Sequence, residues 1–158
     1  RSGQTADADL AAAIDGMRVL NRAASEVLVR HRIHGATDVT GFGLLGHGLE
    51  MARASGARLV FEAASLPALD GALDVARAGV DTDGAGHNRR FTARSLAVRA
   101  GTAPELVALA HDPQTSGGLL AAIPAADVVP VMAALASAGV TTWQVGAVEA
   151  GEPGVELR

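Results

Sequence analysis

The segment Thr37-Asp38-Val39-Thr40-Gly41-Phe42-Gly43-Leu44-Leu45-Gly46-His47 sets a carboxylate, two hydroxyls and closely spaced glycines just ahead of a helix-spaced apolar run. A glycine-rich turn that opens a helix offers unpaired N–H groups and the positive end of the helix dipole, which suits an anion. Glycine also lets a ligand's oxygens approach the backbone closely. A carboxylate in the same turn repels phosphate unless a cation lies between them. Asp38 therefore reads as a hard-cation ligand, for Mg²⁺ shared with phosphate oxygens. A plainer reading stands beside it: Asp38 or Thr40 caps the helix, and the glycines at 41, 43, 46 and 48 permit close helix packing.

A second polar, glycine-bearing stretch is Asp112-Pro113-Gln114-Thr115-Ser116-Gly117-Gly118. Thr115, Ser116 and successive glycine N–H groups can form an anion-binding nest. The same residues also suit an Asp-Pro turn leading into a strand. Asn88, with Arg89 and Arg90, offers a third anion contact, or else a solvated surface. The five histidines do not form a metal site by spacing: His31 and His34 lie three apart with no further local ligand. His47 reads as packed or capping rather than catalytic.

The elements that must position these loops follow from periodicity. Residues 1–9 are small and polar and read as a linker, with residues 10–158 forming the domain. Leu10, Ile14, Met17, Leu20, Ala24, Val27 and Leu28 predict one long amphipathic helix from about Asp9 to Arg30. A short strand is expected within 33–37, a helix from about Leu44 stopped by Gly56, and a strand over Arg58–Glu62. Pro67 opens a further helix closed by Gly79. Residues 80–101 lack a period and read as a long loop. Thr102 and Glu105 have the spacing of a capping box for a helix through Ala110. Leu119–Ile123 reads as a strand buried on both faces, and Val128, Val131, Met132 and Leu135 as a helix with Pro130 in its first turn. Thr141–Glu149 and Gly154–Leu157 read as two closing strands around a Gly151-Glu152-Pro153 turn. The fold class is α+β, a mixed sheet covered by helices.

Composition narrows the function. The 158 residues carry a net charge of −4, with 49% hydrophobic and 3% aromatic residues. The chain has no cysteine, and all 13 basic residues are arginine, so thiolate and lysine chemistry cannot come from it. Acidic balance and scarce aromatics argue against nucleic-acid binding. The longest apolar run, Gly118–Pro124, is far short of the roughly 20 residues that cross a bilayer. With no signal peptide at its Arg1-Ser2-Gly3-Gln4 start, the chain is expected to be a cytoplasmic domain from a longer protein.

These stretches also carry a resemblance. His34 through His47 resembles the long motif of the selenophosphate synthetase (selenide, water dikinase) family, and Asp112 through Leu120 resembles that family's second motif. Leu66-Pro67-Ala68-Leu69 through Gly79, Gly86-His87-Asn88-Arg89, and Met17 with Leu20-Asn21-Arg22-Ala23-Ala24 are similar to its central and opening segments. One departure is visible: Gly84-Ala85-Gly86-His87 stands where the family usually has a Gly-Gly-Thr step. The family belongs to the aminoimidazole ribonucleotide synthetase superfamily, and this chain resembles its C-terminal α/β domain.

The resemblance implies a reaction of ATP, selenide and water that gives selenophosphate, AMP and phosphate. It implies an N-terminal domain holding most of the ATP site and a Cys/Sec-and-Lys segment, and a homodimer at full length. By the same resemblance Asp38 is a Mg²⁺ ligand, and Thr37, Thr40, Gly41, Gly43, Asn88, Thr115, Ser116, Gly117 and Gly118 line the phosphate cavity. No catalytic nucleophile is expected within this chain.

Overall fold

The computed structural model describes residues 6–33 and 35–158. In chain order the elements are α1 (Asp7–Arg18), α2 (Arg22–Arg30), β1 (Gly35–Asp38), α3 (Gly43–Ser55), β2 (Arg58–Phe61), α4 (Ala72–Arg77), α5 (Asp83–Thr92), β3 (Leu96–Val98), α6 (Pro104–His111), β4 (Leu119–Ala122), α7 (Val128–Ser137), β5 (Gly146–Glu149) and β6 (Gly154–Leu157). The class is α+β, as the patterning implies.

The strands form two sheets. A four-stranded mixed sheet runs β3-β6-β2-β5, and a two-stranded antiparallel ladder pairs β1 with β4. α3 lies over the larger sheet, where Leu45, Leu49 and Ala52 meet Leu59, Phe61, Val155 and Leu157 in the main core. Gly48 makes this packing possible, because a Cβ there would sit 2.8 Å from the Phe61 ring. Gly56 ends α3 in the left-handed conformation at φ 64°, which glycine adopts without strain. A second core joins Val27 and Leu28 of α2 to Val131 and Leu135 of α7, under the face of β4.

Several expectations are corrected. The single long helix is two, broken at Val19–Asn21, where Val19 is extended. Apolar spacing continues across that break, so periodicity does not see it. α1 begins at Asp7, so residues 7–9 are helical rather than linker, and residues 1–5 lie outside the described residues. His34 lies outside them too. The helix expected from Pro67 starts only at Ala72, after a left-handed Gly71.

Residues 80–101 are not a loop: they hold α5 and β3, and Thr82 caps α5 by accepting from the Ala85 N–H at 3.1 Å. The capping box at Thr102 does not form. Its hydroxyl donates to the Arg99 carbonyl, Glu105 pairs with Arg77, and Pro104 starts α6. β4 is half-buried along its length, in a ladder of two strands rather than a sheet interior. β5 and β6 do not pair with each other, because β2 lies between them. No helix among the described residues is long and apolar enough to cross a membrane.

Candidate functional site

The two glycine-bearing stretches, more than 70 positions apart, meet edge to edge. The β1–β4 register ends at Asp38 opposite Leu119. Beyond it the pairing continues by backbone bonds: Val39 N–H donates to Gly118 O at 2.9 Å, Gly117 N–H to Val39 O at 3.1 Å, and Gln114 N–H to Thr40 O at 3.0 Å. Asn21, in the break between α1 and α2, donates its side-chain amide to Gly117 O at 3.0 Å. That bond gives the helix break a use, since it brings the residue just ahead of α2 onto the second loop.

Asn88 fastens the arrangement from below. It is 1% exposed, and its amide donates to Gly41 O and to His111 O, both at 2.9 Å. The expected anion contact at Asn88 is corrected: both amide protons serve the loop carbonyls, and the side chain lies beneath the face rather than on it. Arg89 is paired with Asp81, whose carboxyl it holds below the usual range. Arg90 is exposed on α5.

The glycines divide by role. Gly43 is buried at φ 67°, its N–H donates to Thr40 O, and a Cβ there would lie 2.9 Å from the His111 carbonyl group. It therefore serves close approach of the loops and does not line a cavity. Gly46 packs likewise, with Phe42 Cβ 2.7 Å from the position a Cβ would take. Gly41 is exposed with open space around it, as is Gly118, whereas the Gly117 N–H is already bonded to Val39. Because Gly43, Leu45 and Gly46 are buried, the surface open to solvent is the turn ahead of α3 rather than the helix end itself.

The capping reading fails for both candidates. Phe42 occupies the N-cap position of α3, with no side-chain bond to the helix. The Thr40 hydroxyl instead meets His47 Nε2 at 3.1 Å, and His47 Nδ1 meets a Glu50 carboxylate oxygen at 3.1 Å. His47 is 8% exposed and packs against the Phe42 ring, so it is a packed histidine with two polar partners.

Asp38 is exposed at the end of β1 and makes no side-chain hydrogen bond or ion pair among the described residues. A free carboxylate of hard oxygens fits a Mg²⁺ ligand. No group of three potential ligands occurs among the described residues, so further ligands would come from phosphate or another domain. Thr37 alternates to the other face of β1, half-buried, with its hydroxyl donating to the Asp38 backbone carbonyl, so it does not share the face of the Asp38 carboxylate. Thr115 and Ser116 are exposed on the second loop.

Asp112, ahead of them, accepts from the Gln114 amide at 3.1 Å. Burial pushes its carboxyl above the usual range, and the nearby Asp81 charge adds to that. Both loops thus carry an acidic side chain, Asp38 exposed and Asp112 half-buried. The face is open. Two concave grooves, each about 400 Å³, lie instead along α4, one against α1 and one beside α5 and α6.

The sequence matches the family model described as AIR synthase related protein, C-terminal domain, over residues 2–157. The selenide, water dikinase of Nitratidesulfovibrio vulgaris is 41% identical over 135 residues, covering 85% of this chain and 39% of that protein. Those of Myxococcus xanthus and Pseudomonas straminea are 36% and 38% identical, covering 92% and 94% of this chain and 42% of each relative. The chain thus spans about two-fifths of the length of these curated relatives.

Proposed function

This chain belongs to the family of AIR synthase related proteins, whose C-terminal domain it matches, and from that premise we propose that it is the C-terminal domain of a selenophosphate synthetase. The complete enzyme would convert ATP, selenide and water to selenophosphate, AMP and phosphate. An N-terminal ATP-binding domain of the same polypeptide would supply the nucleotide site, the nucleophile and a lysine, and a cytoplasmic homodimer would form largely through it. One observation carries this reading: the two motifs by which the chain resembles the selenide, water dikinases lie side by side on one face, joined by Gln114–Thr40 and Gly117–Val39 backbone bonds.

Phosphoryl transfer asks the protein mainly for positioning and charge neutralisation. Asp38 would hold Mg²⁺, which when bound screens phosphate charge and polarises the phosphoryl oxygens. Thr40, Gly41, Thr115, Ser116 and Gly118 would form this domain's wall of the cavity. Gly43, Asn88 and Gly117 would keep the two loops in register.

The test is the full-length polypeptide with ATP, selenide and Mg²⁺, followed by phosphorus NMR. Selenophosphate together with AMP supports the reading, and ATP turnover without selenide dependence overturns it. The 158-residue chain alone is expected to turn over no ATP. Asp38→Asn in the full-length enzyme should lower activity at least ~10-fold, equivalent to ~1.4 kcal/mol, with the ligand-free Tm nearly unmoved. Near-normal activity across a Mg²⁺ titration would remove Asp38 from the metal site.

A further inference from the structure

We propose that His47 and Glu50 are positioning residues that lock the Thr40 hydroxyl as a hydrogen-bond acceptor toward the reaction cavity, where it orients the substrate water. The inference rests on the reading of this domain as part of a selenophosphate synthetase, and it deepens that reading.

The polarity follows from donor and acceptor counting. Glu50 and His47 lie three residues apart on one face of α3, with Glu50 Oε2 3.1 Å from His47 Nδ1. The lock requires a neutral imidazole: a carboxylate can only accept, so the single ring proton then sits on Nδ1. Nε2 then carries a lone pair. Thr40 Oγ1, 3.1 Å from Nε2, must donate its only proton there. What remains on Thr40 Oγ1 is lone pairs. They repel phosphate oxygens and welcome a donor.

The surroundings hold this state in place. Phe42 packs against the His47 ring at 5.4 Å between centroids, Phe91 stacks on Phe42, and Arg53 lies over Phe91. The Thr40 backbone is fixed as well, its carbonyl accepting from both Gly43 and Gln114. Thr40 is therefore held by bonds independent of its hydroxyl, and the hydroxyl is held by an imidazole that another side chain orients. At the reacting phosphoryl group water is the substrate that brings O–H donors, since the hydroxyls of ATP belong to its ribose. An acceptor on the loop that joins the two motifs suits it, and direct binding of a phosphate oxygen does not.

Nitrogen-15 NMR of the histidine rings in the full-length enzyme reads the locked state directly. The expected signal is a neutral His47 ring protonated at Nδ1. An Nε2–H tautomer, or a ring protonated at both nitrogens at working pH, overturns the proposal. This measurement needs no activity, so it is separable from failure of the functional reading, which would show as a wild-type enzyme without selenide-dependent AMP.

A double-mutant cycle tests the role. Thr40→Val keeps the branched shape and the backbone bonds, and His47→Phe keeps an aromatic ring without an acceptor. Each should lower kcat about 10-fold while KM for ATP stays within about twofold, and the double variant should also lose about 10-fold. Thr40→Ser should stay within about threefold of wild type, and Glu50→Ala, a change at a half-exposed side chain, should lose about threefold. A double variant that loses about 100-fold, single variants with unchanged kcat, or losses expressed wholly in KM would overturn it. Were His47→Phe not to fold, Glu50→Ala with Thr40→Val completes the same cycle.

Discussion

The larger sheet and the two-loop face are built on different principles. Over the sheet, Leu45, Leu49 and Leu157 have no exposure at all, and apolar contact does the holding. At the loops the apolar share is small. Backbone bonds from Val39, Thr40 and Gln114, a buried Asn88, and glycines too small to keep the chains apart bring the face together. Apolar packing is strong and non-directional, whereas hydrogen bonds are individually modest but fix geometry. Apolar packing holds one half together, and directional bonds align the other.

The largest test of that contrast is Leu49→Ala. Leu49 is 0% exposed in the main core, so truncation should cost about 2–5 kcal/mol through lost burial and the cavity left behind. Chemical denaturation would measure it. A loss under about 1 kcal/mol would show that the core is not where the stability lies.

Next in size is Asn88→Ala, which strands the Gly41 and His111 carbonyls away from their donor. About 1–3 kcal/mol should be lost, with faster amide exchange confined to the two loops at first. Uniformly faster exchange across α3 and β2 would mean that the two regions are not separable.

The halves also differ in how far their sequences announce them. α3, β2 and α7 follow from apolar spacing, and Gly56 marks where α3 stops. α5 does not, because Asp83–Thr92 has little apolar character; the Thr82 cap and the tertiary bonds of Asn88 and Thr92 hold it. Both loop motifs can be read from residue types, yet nothing in their spacing says that they touch. Asn88 reads as a ligand group from sequence because it stands beside two arginines. Only the fold shows its amide turned inward. The i,i+3 pairing of His47 with Glu50 was visible in principle, but its link to Thr40 depends on how the turn closes.

A third test sets the region between the halves against both. His111, 2% exposed, donates from Nδ1 to Val107 O and meets the Thr92 hydroxyl through Nε2, tying α6 to α5. Burial holds its pKa below the ordinary 6.5, so the folded ring stays neutral where the unfolded one takes a proton. The unfolded state therefore binds more protons below about pH 6.5, and stability should fall as pH drops through that value toward the folded pKa. Urea midpoints in steps from pH 8 to 5 would show the fall. His111→Leu should be less stable at pH 8 but flatter in that window. An unchanged slope would assign the pH dependence to other groups.

The smallest expected effect has the opposite sign, and it comes from the functional face. Asp112 is half-buried, and burial raises its carboxyl pKa above the ordinary 3.8. The folded state thus prefers the protonated acid. Its favourable contribution is present below pH 3.8 and is lost as pH rises through the folded pKa, leaving a buried charge near neutrality. Asp112→Asn keeps the size and can still accept from Gln114, but carries no charge. At pH 7 it should therefore stabilise the ligand-free domain, by no more than about 1 kcal/mol or ~2–4 °C in Tm. The gain should shrink as pH falls through the folded pKa and be gone below the ordinary 3.8. No such gain would place Asp112 in a setting as wet as any surface acid, and the loops would then be less tightly closed than their backbone bonds indicate. A gain at pH 7 that disappears in acid would show a carboxylate kept against the stability of its own fold, as expected where a charge serves a ligand rather than the structure.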